Sequence, residues 1–168
     1  MTTSTLVTGG AGYIGSHTVR ALRASGERVV VLDTLELGTA SAVGDADLVV
    51  GDIADHDLVV ATCERYDVDA IVHFAAYKNV GESMQEPGKY FRNNVDGTVR
   101  LLDAAQSVGV RRLVFSSSCS VYGTPEIVPV DEHAPIQPES VYAETKAMVE
   151  RVLAWYGEVA GWRSVSLR

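Results

Sequence analysis

Tyr142 and Lys146 stand four residues apart, and Ser118 precedes them at the end of an apolar run. A phenol and an ammonium at i and i+4 share one helix face, so the cation can favour the phenolate, and a nearby hydroxyl can hold a substrate oxygen beside it. Such a set suits removal of a proton from an alcohol while a bound acceptor takes the hydride. The spacing alone is also compatible with an incidental helix pair, so the reading depends on what else the chain supplies.

The acceptor is indicated at the other end of the sequence. Leu6-Val7-Thr8 predicts a short strand, Gly9-Gly10-Ala11-Gly12-Tyr13-Ile14-Gly15 follows, and a helical pattern runs from about residue 13 to 25. Glycines at this spacing allow a tight turn and close approach of backbone to a pyrophosphate, whose charge meets free N–H groups and the helix dipole. A glycine triplet by itself also fits a bare strand-to-helix turn. Here, however, a second apolar strand, Val29 to Leu32, ends in Asp33, about 18 residues beyond Gly15, where a carboxylate accepts from an adenosine ribose. Asp33 would repel a 2′-phosphate, and Thr34, Leu35 and Glu36 offer no arginine to neutralise one, so NAD is expected rather than NADP.

The elements that must position these groups alternate along the chain. Strands are predicted near 5–8, 28–33, 47–51, 70–75, 112–117 and 164–168, and helices near 13–25, 55–66, 87–108 and 139–160. Near-continuous apolar runs such as Ala70-Ile71-Val72-His73-Phe74 fit strands of a parallel sheet covered on both faces. The expected fold class is therefore a doubly wound α/β (Rossmann) domain in the order 3-2-1-4-5-6, with the cofactor over the switch point. Helical stripes through Tyr90, Phe91, Asn94, Val95, Thr98, Leu101, Leu102 and Ala105, and through Val141, Met148, Val149, Val152, Leu153 and Tyr156, should face the sheet. Trp155 lies beside the second stripe, either as part of a homodimer contact between these two helices or as a partly exposed aromatic. Gly123 to Pro138 holds four of the five prolines and reads as a long ordered loop suited to covering a substrate; Thr34 to Asp47 reads as an irregular loop near the adenosine end.

Composition narrows the function classes. A chain of 168 residues, 46% hydrophobic, is sized for one domain with a real core. A net charge of -8 argues against a nucleic-acid surface. Cys63 and Cys119 form neither a metal-ligand nor a redox pattern, so no metal is expected, and Cys63 falls on an apolar helix side as core filler. There is no basic-then-apolar leader and no run long enough to span a bilayer, so the expectation is a cytoplasmic protein without a membrane partner. His17 and His73 are expected to be packed or hydrogen-bonded rather than catalytic.

Thr8 to Gly15, Ser118 and the Tyr142/Lys146 pair resemble the extended short-chain dehydrogenase/reductase superfamily. The strings Gly51-Asp52-Ile53, His73-Phe74-Ala75-Ala76-Tyr77-Lys78-Asn79-Val80-Gly81-Glu82-Ser83, Asn93-Asn94-Val95-Asp96-Gly97-Thr98 and Phe115-Ser116-Ser117-Ser118 are similar to its nucleotide-sugar 4-epimerase branch. The resemblance runs through nearly the whole chain in the family's order. It implies a UDP-hexose substrate, epimerised through a 4-keto sugar with tightly bound NAD, and a cofactor site that takes in Gly9, Gly12, Tyr13, Ile14, Gly15, Asp33, Phe74, Ala75, Ala76, Ser116, Tyr142 and Lys146. It further implies that Asp52 and Ile53 meet the adenine, Lys78 the phosphate or ribose region, and Asn93 the nicotinamide side; read alone, Lys78 is a solvated cation and Asn93 a helix polar residue. It implies Tyr142 as base, Ser118 as hydrogen-bond partner of the sugar oxygen, and Lys146 as ribose ligand and depressor of the tyrosine pKa.

Departures from the family pattern are Val141 in place of a proline before the tyrosine, Cys119-Ser120 after the serine, and Thr34 where an asparagine commonly follows the aspartate. The absence of a carboxylate beside Ser118 argues against a nucleotide-sugar 4,6-dehydratase. Family members carry a smaller C-terminal substrate domain, which residues 1–168 do not include. A cofactor-binding module without turnover therefore stands as the alternative to an active epimerase.

Overall fold

The computed structural model describes residues 3–168, which form one six-stranded parallel sheet in the order β3-β2-β1-β4-β5-β6. The strands are β1 (Ser4–Thr8), β2 (Arg28–Asp33), β3 (Asp47–Val50), β4 (Val68–His73), β5 (Arg112–Ser116) and β6 (Arg163–Leu167). All five pairings are parallel, and the expected strand order holds. Because β2 and β4 flank β1, the segments leaving their carboxyl ends rise on either side of the glycine turn. That juxtaposition makes the crevice.

Alternate residues of each strand enter opposite cores. Leu6, Val30 and Ile71 pack with Val59, Leu101 and Leu153, from α2 (His56–Tyr66), α5 (Gly97–Ser107) and α6 (Val141–Ala160). Val7 and Val31 point the other way, onto Val19 of α1 (Tyr13–Ala24). On that second face the register sets Val31, Val7, Val72, Val114 and Val165 in one row across the sheet. Cover fades along the row: Val7 and Val31 are fully buried, whereas Val165 is 57% exposed.

Three departures from the expected elements bear on the site. The helix expected at 87–108 is α4 (Pro87–Tyr90), a π-helical turn (Phe91–Asp96) and α5, because a wider turn keeps a similar spacing of apolar residues. A short helix, α3 (Val80–Gln85), occupies a stretch for which no element is predicted; Asn79 caps it by accepting from the Glu82 N–H. The irregular segment after β2 contains one 3₁₀ turn, Ala40–Val43. The proline-rich segment beyond Gly123 is without helix or strand until Val141, as expected. Cys63 is buried in the larger core, and Cys119 is exposed. Among the described residues no helix is long and apolar enough to cross a membrane.

Candidate active site at the carboxyl ends of the strands

The glycine turn is built so that only glycine fits at two of its positions. Gly9 has φ +69°, and a Cβ there would lie 2.6 Å from the Ala75 nitrogen; at Gly15 a Cβ would lie 2.2 Å from the Gly9 carbonyl oxygen. Gly12 differs, since its Cβ would meet only the Gly9 oxygen, at 3.3 Å. One side of the turn is locked against backbone while the other presents bare main chain to the crevice. Gly12 is the N-cap of α1 and has no side chain to satisfy the first helical N–H groups. These donors and the helix dipole therefore face the crevice, and the cradle fits a pyrophosphate.

The crevice has a volume of about 350 Å³. Gly9, Gly12, Tyr13, Ile14 and Gly15 line its base, and Asp33 one side. Both Asp33 oxygens are in use: Oδ2 accepts from the Ala11 N–H at 2.9 Å and Oδ1 from the Leu35 N–H at 2.8 Å. The carboxylate thus braces the glycine turn and keeps lone pairs for a ribose. Asp52 and Ile53 line the far end, Phe74, Ala75, Ala76 and Lys78 the wall beyond β4, and Asn93, Ser116, Tyr142 and Lys146 the end nearest α6. Leu37 and Gly38 also line it, although no local motif marks them, as does Tyr77, which lies in the string His73 to Ser83 but has no role implied there.

Helix α6 carries the phenol and the ammonium on a closely held N-terminus. Ser140 is its N-cap, accepting from the Ala143 N–H at 3.1 Å. The next donors are met from α3: the Tyr142 N–H donates to Ser83 Oγ at 3.1 Å and the Val141 N–H to Met84 S at 3.5 Å. The start of α6 is thereby fixed without the proline of the family pattern.

Asn94, buried in the π-helical turn, adds a second brace. Its Oδ1 accepts from the Tyr77 N–H and its Nδ2 donates to the Tyr77 carbonyl, both at 2.9 Å, and Nδ2 also reaches Thr145 Oγ1 at 3.2 Å. The loop after β4 and the helix bearing Tyr142 are therefore held together through one amide. Asn93, its neighbour, donates to the same Oδ1.

The electrostatics of the site are dominated by burial. Lys146, 4% exposed, donates to the Ser116 carbonyl at 2.8 Å and lies 4.7 Å from the Phe115 ring centroid. Loss of solvent draws its pKa from 10.5 down to about 8. Tyr142, 5.8 Å from the ammonium measured to its ring centroid, has its pKa raised by burial, opposed by a hydrogen bond with Ser118 and reinforced by Cys119. The expected depression of the phenol by Lys146 is therefore not a property of the protein alone. Ser118 Oγ lies off the lining of the crevice, where it caps the 3₁₀ turn Cys119–Tyr122 and accepts from Ser120 Oγ at 2.8 Å.

His73 is structural. Thr98 Oγ1 spends its proton on the Asn94 carbonyl at 2.7 Å, so His73 Nε2 must donate to it at 2.9 Å and Nδ1 must accept from Thr8 Oγ1 at 2.6 Å. Burial first, and Lys146 second, draw its pKa down to about 3, and the ring is neutral. Among the described residues no cluster of three or more His, Cys, Asp or Glu side chains could hold a metal ion.

A parallel 3-2-1-4-5-6 sheet with this glycine turn defines a Rossmann-type dinucleotide fold. Comparison with known proteins narrows it: the model of the "NAD dependent epimerase/dehydratase family" matches residues 5–168, and the chain belongs to that family. It is 46% identical over 164 residues to a UDP-glucose 4-epimerase of Lactobacillus helveticus, covering 97% of this chain and 50% of the relative. Among solved structures it is similar to UDP-glucose 4-epimerase from Brucella ovis in complex with NAD, with TM-score 0.96, 46% identity, and coverage of 99% of this chain and 51% of that one. A second is the enzyme from Stenotrophomonas maltophila with bound NAD and formylated UDP-arabinopyranose, with TM-score 0.96, 40% identity, and coverage of 99% and 52%. The chain spans about half the length of the relatives it matches.

Proposed function

We propose that residues 1–168 are the NAD-binding domain of a nucleotide-sugar 4-epimerase that interconverts UDP-galactose and UDP-glucose. The observation that carries this reading is the placement of Tyr142 and Lys146 at one end of a crevice whose other end is the glycine turn and Asp33, with Ser118 just off the lining and hydrogen-bonded to Tyr142. Bound NAD would supply a hydride acceptor that takes and later returns the hydrogen on the sugar carbon.

The chain's own groups handle the proton. The Tyr142 phenol, as base, receives it from the sugar 4-hydroxyl, and Ser118 shares a hydrogen bond with the phenol and the sugar oxygen. Lys146 holds ribose hydroxyls with its ammonium, which is why a buried cation with only a carbonyl partner is retained there. Because burial raises the Tyr142 pKa in the protein, its lowering must come with the positive charge that the bound cofactor brings. The coupling makes proton removal conditional on cofactor binding. Gly12, Tyr13, Ile14 and Gly15 hold the pyrophosphate, Asp33 the adenosine ribose, and Asp52 and Ile53 the adenine, while Phe74, Ala75, Ala76, Lys78, Asn93 and Ser116 line the path to the nicotinamide.

The half coverage of the relatives and the exposed Val165 at the end of the sheet favour a second reading alongside it: these residues alone bind NAD but grip a UDP-sugar weakly. A homodimer through the helices at 87–108 and 139–160 fits Trp155 and Val159, one turn apart on α6 and 67% and 76% exposed.

The test measures NAD binding and the conversion of UDP-galactose for the chain and for Tyr142→Phe. The variant should keep its NAD affinity and lose about 10²- to 10⁴-fold in any conversion rate. Unchanged conversion would remove the proposed base; NAD binding with no conversion by either chain would select the second reading.

A further inference from the structure

The segment after β2 and the segment after β4 meet across the mouth of the crevice. The Tyr77 hydroxyl donates to Glu36 Oε2 at 2.7 Å, joining residues 41 apart in sequence, and both side chains line the same crevice. Since β1 lies between β2 and β4, this bond spans the glycine turn at the carboxyl end of β1. We propose that Tyr77 and Glu36 form a clasp over the bound dinucleotide, which opens to admit the cofactor and, closed again, slows its escape. The proposal rests on the NAD-binding reading above and adds to it the device that retains the cofactor.

The two halves are built unequally, as a clasp requires. Tyr77 is the fixed post: both its backbone polar groups are bonded to Asn94, and Asn94 is bonded to Thr145 on α6. Its ring lies under the Lys89 ammonium, 4.3 Å from the centroid, and 5.8 Å from the Tyr90 ring. Lys89 and Tyr90 are themselves tied to Glu82, at 2.6 and 2.7 Å. The phenol tip can therefore reach the far wall without the loop shifting.

Glu36 is the movable half. It is exposed and follows Leu35, whose φ of +60° is in the left-handed region that a leucine rarely adopts. The bend is held at its base by Asp33, which accepts from the Leu35 N–H. Downstream, the Thr39 N–H is anchored on the Ala11 carbonyl at 3.1 Å. Between those anchors the backbone is bent so that the carboxylate faces Tyr77. The Glu36 N–H is met inside the bend by Thr34 Oγ1 at 3.3 Å, which leaves the exposed carboxylate with the Tyr77 phenol as its partner across the crevice.

The test uses the whole chain loaded with NAD and follows release by stopped flow after mixing with excess competing nucleotide. Tyr77→Phe and Glu36→Ala should each release NAD roughly tenfold faster, the scale expected for one hydrogen bond to a charged acceptor. Entry should quicken in parallel, so the dissociation constant should move by less than about threefold; a gate changes both rates, whereas a binding contact changes mainly release. Glu36→Gln keeps an acceptor oxygen and should stay within about twofold of the parent. Circular dichroism and melting of the variants confirm that each is folded, and Glu36 is exposed enough for E36A to be neutral in that respect.

Release rates of Y77F and E36A equal to the parent's would overturn the clasp while leaving NAD binding intact. Faster release in E36A alone would place Glu36 against the ligand itself and equally overturn it. A parent chain that does not bind NAD would remove the binding reading and the clasp together.

Discussion

Lys146→Met tests the electrostatics of the site without needing substrate. The parent ammonium is 4% exposed and has one hydrogen-bond acceptor, the Ser116 carbonyl, so burial costs it solvation that is not returned. Its pKa falls from 10.5 in the unfolded chain to about 8 in the folded one. At about 1.36 kcal/mol per unit, the difference of 10.5 and 8 corresponds to about 3 kcal/mol of destabilisation wherever both states are protonated. Between those two values the unfolded chain binds more protons than the folded one, so stability rises with pH across that window.

Methionine removes the buried charge and also one hydrogen bond to Ser116, a loss of about 1 kcal/mol that does not vary with pH. The variant should therefore be more stable than the parent by about 2 kcal/mol at pH 7. From pH 7 to 10 the parent should gain about 2.5 kcal/mol relative to it. Cys63 and Tyr142, whose pKa values burial moves in the opposite direction, upward, are present in both chains and largely cancel in the comparison. Urea unfolding of the two proteins at each pH unit from 7 to 10 gives the curve. A difference that stays flat over this range would refute the assignment of Lys146 as a buried, solvation-starved ammonium.

Two further outcomes follow from the same geometry. His73 titrates at 6.5 when unfolded and about 3 when folded, so its contribution is complete above 6.5 and is lost as pH falls; stability should drop by roughly 2 kcal/mol between pH 6.5 and 4.5. That slope should be missing in His73→Gln, and an unchanged slope in urea titrations would reject it. At the glycine turn, Gly15→Ala would set a methyl 2.2 Å from a backbone oxygen and should cost roughly 1–3 kcal/mol along with NAD binding, whereas Gly12→Ala meets only one atom and should change stability by less than about 1 kcal/mol. Gly12→Ala should nonetheless weaken NAD more than tenfold by standing a methyl in the crevice; calorimetric titration showing parent-like affinity would contradict the bare-backbone cradle.

Much of this molecule is legible in one dimension because its signals are local. Val29 to Leu32 is apolar throughout because β2 is covered on both faces, and Gly12 and Gly15 are set by atoms of the turn itself, so sheet order and crevice position are legible in the chain, although Gly9 is set by Ala75 from across the fold. Two of the features that escaped lie where local patterns are degenerate. A π-helical turn at Phe91–Asp96 keeps nearly the apolar spacing of an α-helix, and only its packing reveals that it turns Asn94 inward to Tyr77 and Thr145. Likewise α3 is too short to show a period, yet it supplies Ser83 to the start of α6.

The amino-acid sequence by itself determined which chemical groups are available and which elements carry them: a phenol, an ammonium and a hydroxyl at one end, a glycine turn and a carboxylate at the other. Tertiary structure alone decided their state. Solvation depends on every neighbour at once, so nothing in Tyr142-x-x-x-Lys146 discloses that the lysine is buried to a pKa of about 8 or that the phenol is pushed upward rather than down. Only the placing of β2 and β4 on either side of β1 brings Glu36 within reach of Tyr77, because a contact across 41 residues has no local signature.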